Sequence, residues 1–438
     1  MAQRHRIGRR IPMAVAGTGL IAAMLPASVA WGAGFAIKED SASELGTAFA
    51  GAGSAAATPS TVFTNPAGMT QLPGLQVELG STVIDPSLTF KGSATDAFGR
   101  PISGASTANG GHAALVPNGY ITYKATENLS IGLALTSPFG LSTYYGPDFV
   151  GRYQADKTQL TDININPAIA YRLAPWVSIG VGISADYVIG EFANATNSQT
   201  IAASVLGTPL PLPDGLARVR GDSWAVGYNF GALFKPTAND NIGVTYRSRI
   251  VHDISGTATF NAPFPLSLSP AFRTGPASAK LVLPDSATLS FTHIFSPRWT
   301  GYMDLTWTDW SLFKSLQINR SDGTVLSTIP EDYHNTITVA IGASYAVTSK
   351  LTLRAGTAFD QSPDSSDTFN ASAPDADRYW LSIGGSYQVL PNTAIDVGYA
   401  HIFLNSASIH QTSSTGDVLT GSYDSHVDLF SASTRLQF

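Results

Sequence analysis

Cysteine is absent from all 438 residues, which removes disulfides, thiolate metal sites and cysteine nucleophiles together. Charge is sparse too. Asp, Glu, Lys and Arg supply 13% of the chain, about half the ~25% usual in soluble globular domains. The charge leans acidic, with 31 Asp and Glu against 25 Lys and Arg, so nucleic acid is not an expected partner. No apolar run reaches the ~20 residues of a membrane-spanning helix. The eight His lack zinc spacing. Asp424-Ser425-His426 contains the residue types of a hydrolase, but consecutive strand residues face opposite ways and cannot form a triad. No catalytic residue, cofactor or metal is expected.

The N-terminus carries Arg4, Arg6, Arg9 and Arg10 before an apolar stretch from Ile11 to Leu25, then Pro26 and the small residues of Ala30-Trp31-Gly32. That is the pattern of a secretory signal peptide over residues 1–32, with a mature start at Ala33 or a cut after Ala30. A membrane helix is the alternative, and the apolar stretch is too short for one. Removing four Arg and no acid leaves 21 basic against 31 acidic residues, a net −10. An exported chain with little charge and no long apolar run points to a membrane β-barrel, in which apolar residues occupy every second position.

That periodicity is visible after about residue 75. Tyr379, Leu381, Ile383 and Tyr387 alternate with Arg378, Trp380, Ser382 and Ser386, and Ile395, Val397, Tyr399 and Phe403 alternate with Asp396, Gly398 and Ala400. One face suits lipid and the other a polar lumen. Fourteen such runs are found, at 75–90, 115–125, 129–138, 160–173, 177–192, 222–235, 241–260, 278–295, 299–313, 335–346, 351–359, 378–388, 393–403 and 427–438. Their connections alternate between short turns and long loops, as an antiparallel barrel with one periplasmic and one extracellular rim requires; a soluble sandwich gives no reason for that alternation. Trp176, Trp299, Tyr345, Tyr387 and Phe403 fall near strand ends, where interfacial aromatic girdles form. The last run ends in Thr434-Arg435-Leu436-Gln437-Phe438, which resembles the C-terminal signature read by outer-membrane assembly machinery.

Residues 33–74 are different. They are rich in Ala, Gly, Ser and Thr and lack period 2. A short helix is expected over 43–50, with Glu44 in its first turn. The segment either folds back as a plug in the lumen or trails as a periplasmic tail. Asn65-Pro66-Ala67 makes a stiff turn with a polar handle, although Asn166-Pro167-Ala168 repeats the tripeptide inside a strand run.

These residues resemble the FadL/TodX family of hydrophobic-compound channels. Ala33-Gly34-Phe35, Ser41 to Gly46 and Asn65-Pro66-Ala67 follow the family's hatch in order. Tyr246-Arg247-Ser248, Leu283-Pro284-Asp285, Trp310-Ser311-Leu312-Phe313, the run from Ala358 to Pro363 and the run from Asp377 to Ser382 extend the likeness along the chain. The resemblance implies an all-β protein: a 14-stranded antiparallel transmembrane barrel over 75–438, with residues 33–74 as a hatch inside the lumen. It implies that Phe35, Asn65, Pro66 and Ala67 serve hatch and gate. It implies a lateral opening where Ser137-Pro138-Phe139-Gly140 kinks the third strand inward. It also implies a ligand groove in the long loops, for which Leu206, Leu210, Leu212, Phe264, Leu266 and Phe272 are the candidates; so dense an apolar set needs cover. The family's basic pair for a ligand carboxylate is unmatched here, since Asp186 to Glu191 holds no base and Gln317 occupies the second position. Lys314, Arg247 and Arg354 are the possible substitutes.

The expected function is therefore uptake of hydrophobic small molecules across a Gram-negative outer membrane, with long-chain fatty acids first and neutral hydrocarbons as the alternative. A general diffusion porin is the remaining rival. The expected partners are that ligand, outer-membrane lipid and lipopolysaccharide, and the barrel assembly machinery, with the barrel a monomer.

Overall fold

A computed structural model describes residues 34–208, 210–364 and 368–438. The expected signal peptide and the mature start at Ala33 lie outside the described residues. Fourteen antiparallel strands close into one barrel, numbered here in chain order. The first seven are Leu75–Thr95, Ala114–Lys124, Leu129–Thr136, Lys157–Ala174, Val177–Thr196, Gly215–Phe234 and Asp240–Arg247 with its continuation Ile250–Asn261. The remainder are Gly275–Leu283 with Ser286–Ile294, Trp299–Thr308, Thr336–Ala346, Leu351–Asp360, Arg378–Leu390, Thr393–Leu404 and Val418–Gln437. The seam pairs the first strand with the fourteenth from Gln76↔Gln437 to Thr95↔Val418. Closure leaves no edge, which is the condition for a sheet to sit in hydrocarbon.

Alternation sorts the side chains as expected. On the fifth strand Val181 and Ile183 are exposed on the outer face, while Ser184, Asp186 and Val188 are buried on the inner one. Trp176, Trp299 and Tyr387 stand exposed near the short turns, and Trp299 stacks obliquely on Tyr345 at 4.6 Å.

Several strands run further than their apolar pattern. The fifth ends at Thr196, the sixth begins at Gly215 and the fourteenth begins at Val418. Beyond the membrane both faces meet water, so period 2 fades while the backbone ladder continues. Elsewhere the expected strands are interrupted. The seventh breaks at Ser248-Arg249 and the eighth at Pro284-Asp285. Pro284 cannot donate to a ladder. Asp285 replaces the missing bonds: its carboxylate accepts from the Tyr246 hydroxyl at 2.5 Å and the Arg249 N–H at 2.9 Å, and pairs with the Arg249 guanidinium at 2.7 Å. The ninth strand stops at Thr308, short of the expected residue 313, because a 3₁₀ turn at Trp310–Leu312 carries Trp310 into the interior.

Residues 34–74 lie inside the ring. Ala42–Leu45 and Thr61–Thr64 form one-turn helices and Pro66–Gln71 a 3₁₀ helix. The helix expected over 43–50 is shorter because Ala48 and Phe49 have φ of 53° and 64°, which reverses the chain at a conformational cost on the order of 1–3 kcal/mol per residue. Ala42, Leu45, Val62 and Met69 are fully buried. Tyr120 Oη donates to the Asp40 carbonyl at 2.6 Å, the Gly51 N–H to Asp304 Oδ1 at 2.6 Å, and Thr70 Oγ1 to Ser178 Oγ at 2.8 Å. Two wall glycines are required by this contact. A Cβ at Gly243 would stand 1.9 Å from the Gly53 carbonyl oxygen, and one at Gly356 would stand 2.2 Å from the Thr47 backbone.

Gly243→Val should therefore push residues 51–54 off the wall, at roughly 1–3 kcal/mol for overpacking. Single-channel recording should show a rise in steady leak while the barrel stays resistant to heat; a silent, parent-like trace would refute the close-contact account.

Candidate functional site

The third strand is where the wall departs from regular pairing. Its ladder to the second strand runs from Lys124↔Ser130 to Gly119↔Leu135 and stops. Above that point Ala114 to Asn118 pair with the first strand only. Pairing to the fourth strand lapses after Thr136↔Asn164 and resumes at Gly140↔Thr161. Between them Ser137-Pro138-Phe139 bends inward, as the Pro138 ring and the Gly140 backbone allow.

The released backbone groups are taken up inside. The Ile37 N–H donates to the Pro138 carbonyl at 2.8 Å, the Gly140 N–H donates to the Phe35 carbonyl at 2.8 Å, and Ala36 bridges Phe139. The Phe139 N–H goes to Asp162 Oδ2 at 3.0 Å. The start of the described chain thus acts as a short substitute strand for the kink. Its own fixing comes from the eleventh and twelfth strands. Gly34 N–H donates to Asp375 Oδ2 at 2.9 Å, Lys38 pairs with Asp360 at 3.3 Å, and Arg378 pairs with Asp375. Ser362 Oγ also donates to Asp375 Oδ2, at 2.9 Å.

Phe35 closes an aromatic box, with its ring 4.8 Å from Trp310, 5.3 Å from Phe313 and 6.1 Å from Phe139. Tyr333 packs on both Trp310 and Phe313. This box stands between two cavities. The larger, about 1250 Å³, is lined by Ile37, Lys38, Phe49, Phe63, Phe139 and Arg247 among others. The smaller, about 510 Å³, is lined by Phe35 itself with Leu141, Leu160, Phe192, Phe313 and Leu316 among others.

The candidate residues divide accordingly. Asn65 Nδ2 donates to the Gly53 and Ala232 carbonyls and its Oδ1 accepts from the Ala67 N–H, so Asn65-Pro66-Ala67 locks the segment to the sixth strand, distant from the aromatic box. Arg247 lines the larger cavity, but its guanidinium lies 3.7 Å from the Phe63 ring centroid and donates to the Phe63 carbonyl and to Ser184. Arg354 lines neither cavity; it donates to Ser386 Oγ beside Gly46. Lys314 is at the surface, paired with Asp332 at 2.8 Å. The loop candidates are not gathered. Leu266 is buried and Phe272 packs on Phe260, while Leu206 and Phe264 are exposed. Leu210 and Leu212 are half-buried. None of the six lines either cavity.

Three acids in the N-terminal segment sit without adequate compensation. Burial pushes Glu39 up to about 7, against weak help from Arg378 and Lys38. It does the same for Asp40, against Arg247 and aided by Glu39 and Glu78. Glu44 is raised well above its ordinary range by burial and then by Asp40, despite a bond from Ser60 Oγ at 2.6 Å. Among the described residues no side chain bonds to either oxygen of Glu39. Seating therefore favours the protonated form of these carboxyls.

A family model described as outer membrane protein transport protein (OMPP1/FadL/TodX) matches residues 23–438. The 47 kDa outer membrane protein of Pasteurella multocida (strain Pm70) is 31% identical over 384 residues, 84% of this chain and 87% of that one. The long-chain fatty acid transport protein of Escherichia coli (strain K12) is 28% identical over 418 residues, 89% of this chain and 92% of that one. Among solved structures, a Pseudomonas aeruginosa FadL homologue is similar with a TM-score of 0.87 at 27% identity, covering 93% of this chain and 100% of that one. The P. putida toluene transporter TodX shares the fold at a TM-score of 0.69 and 18% identity, covering 91% and 99%.

Because the seated carboxyls bind protons more tightly than they would in water, seating is favoured below about pH 4 and weakens as pH rises through the range up to about 7 set by Glu39 and Asp40. Bilayer conductance should accordingly increase between about pH 4 and 7, and Glu39→Gln should flatten that rise. A leak that falls with increasing pH would overturn the assignment.

Proposed function

The chain belongs to the OMPP1/FadL/TodX family of outer membrane transport proteins, and from that premise we propose that it carries long-chain fatty acids, or hydrophobic molecules of like size, inward through the barrel. It is a transmembrane β-barrel of the outer membrane and a transporter, not an enzyme. The observation that carries the reading is the small apolar cavity closed by Phe35. Moving an alkyl chain from water into such walls gains about 0.8 kcal/mol per CH₂.

The exposed loop side chains Leu206 and Phe264 make first contact, and the molecule then passes to the small cavity. Phe35 is the gate between that cavity and the larger one, and residues 33–74 are the hatch. Exit is sideways, through the lapse between the second and third strands beside Ser137 to Gly140. A lateral exit spares the ligand from being hydrated in the periplasm. Outer-membrane lipid and lipopolysaccharide surround the barrel, the assembly machinery inserts it, and it works as a monomer because its strands are paired within one ring.

A second reading is supported by the basic residues of the larger cavity. Lys38 and Arg247 are both engaged by protein groups, so a neutral hydrocarbon meets no unpaired cation there. A porin is disfavoured by the filled lumen.

Deleting residues 33–72 while keeping the export signal should leave a folded barrel that conducts ions steadily; a deletion as tight as the parent ends the hatch reading. Phe35→Ala should weaken binding of a fluorescent fatty acid by roughly 1–3 kcal/mol through lost ring contact. Equal affinity of parent and variant for that probe and for a neutral hydrocarbon removes Phe35 from the site.

A further inference from the structure

The small cavity has a polar end, and it is an acid. Around its aliphatic and aromatic walls no Lys, Arg or His appears; its ionisable lining groups are Glu331 and Tyr333. Glu331 follows the hairpin strand Val325–Pro330 in the loop between the ninth and tenth strands. It is 5% exposed; Asn370 Nδ2 donates to its Oε2 at 3.1 Å, and the Tyr333 hydroxyl also bonds to its side chain. On the same loop Lys314 gives its backbone carbonyl to the Glu331 N–H, while its ammonium donates to Asp332 at 2.8 Å and to the Tyr333 carbonyl at 3.2 Å rather than to the Glu331 carboxyl. From the neighbouring loop the charged group facing Glu331 is another acid, Asp364, and Asp375 stands near Tyr333.

We propose that Glu331 reads the head of the transported molecule through a shared proton: a fatty acid binds with its carboxyl paired to the Glu331 carboxyl, and a long-chain alcohol or ester binds to the same group. This rests on the reading of the small cavity as a ligand site. Burial, and then Asp364, push Glu331 up to about 8, so near neutrality it carries an O–H and can donate where a cation would otherwise be needed. A carboxylic acid kept neutral by an apolar site is an established kind of donor, and two carboxyls in contact hold one proton between them.

The signs follow from proton counting. Below about pH 8 the free site is protonated and the incoming carboxylate brings no proton, so binding of a fatty acid is flat with pH. Above it the complex must take up one proton, and affinity falls about tenfold per pH unit. An alcohol carries no such requirement.

Detergent-purified full-length barrel is titrated with hexadecanoic acid and with hexadecanol from pH 6 to 10, beside Glu331→Gln measured in the same micelles. The expected result is a loss for hexadecanoic acid above pH 8, little change for hexadecanol, and no pH slope for either ligand in Glu331→Gln, whose amide donates at every pH. Parallel pH profiles of parent and variant overturn the role of Glu331 while leaving transport intact. If neither ligand binds the parent at any pH, the ligand site itself is lost, which is a different failure. Glu331→Lys supplies the converse: it should raise affinity for hexadecanoic acid over hexadecanol at least tenfold at pH 9, and an unchanged ratio counts against the proposal.

Discussion

A backbone amide in hydrocarbon must find its partner within the protein, at a cost of several kcal/mol if it does not. The wall is organised around that requirement, including its irregular places. The ring closes from Gln76↔Gln437 to Thr95↔Val418, and where a ladder lapses another group steps in. At the third strand the substitutes are the backbones of Phe35 and Ile37 and the carboxylate of Asp162. At the seventh and eighth strands the substitute is Asp285, which gathers Tyr246 and Arg249. A kinked wall is tolerable here because each kink has an assigned acceptor or donor. The kinked third strand and the N-terminal segment are thus parts of one arrangement, since the residues that bend the wall are bonded to that segment.

The lumen follows a different rule. Its buried acids are not neutralised one for one, and the N-terminal segment adds Glu39, Asp40 and Glu44 to an interior that already holds Glu78 and Asp304. Residues 34–74 are held by hydroxyl-to-hydroxyl bonds, such as Ser290 to Ser54 at 2.8 Å, together with the Lys38–Asp360 ion pair.

Strand number, the membrane-facing residues and the two kinds of connection were legible in the sequence because alternation is imposed directly by lipid on one side and polar surroundings on the other. Ser137-Pro138-Phe139-Gly140 was legible as an interruption because proline cannot donate. What it bonds to was not, since Phe35 lies about a hundred residues away and has no periodic signal. The runs from Ala358 to Pro363 and from Asp377 to Ser382 stood out without a role; the structure gives them one, as the anchor of Gly34 and Lys38 through Asp360, Ser362, Asp375 and Arg378. The loop leucines and phenylalanines were selected by the resemblance and by their density, while their burial was not legible: Leu266 is buried whereas Leu206 and Phe264 are exposed. Lys314 was selected for its charge, which sequence shows, and its partner Asp332 decides its direction, which sequence does not. Glu331 went unnoticed because one acid in a loop is unremarkable until an apolar cavity is found beside it.

The seam joins the first and last strands of the barrel, and the N-terminal segment enters directly from the first strand. That segment touches strands on every side of the ring, among them Tyr120, Ser178, Thr292, Asp304 and Asp360. Its packing partners are therefore complete only when the most sequence-distant pairing of the barrel has formed, which is also the costliest loop to close. Sealing the cylinder and corking it become a single late event, like a bottle blown around its own stopper. A chain that reached the membrane with this segment outside would have to reopen the seam or pass the segment through the rim, so the order of assembly is written into the connectivity.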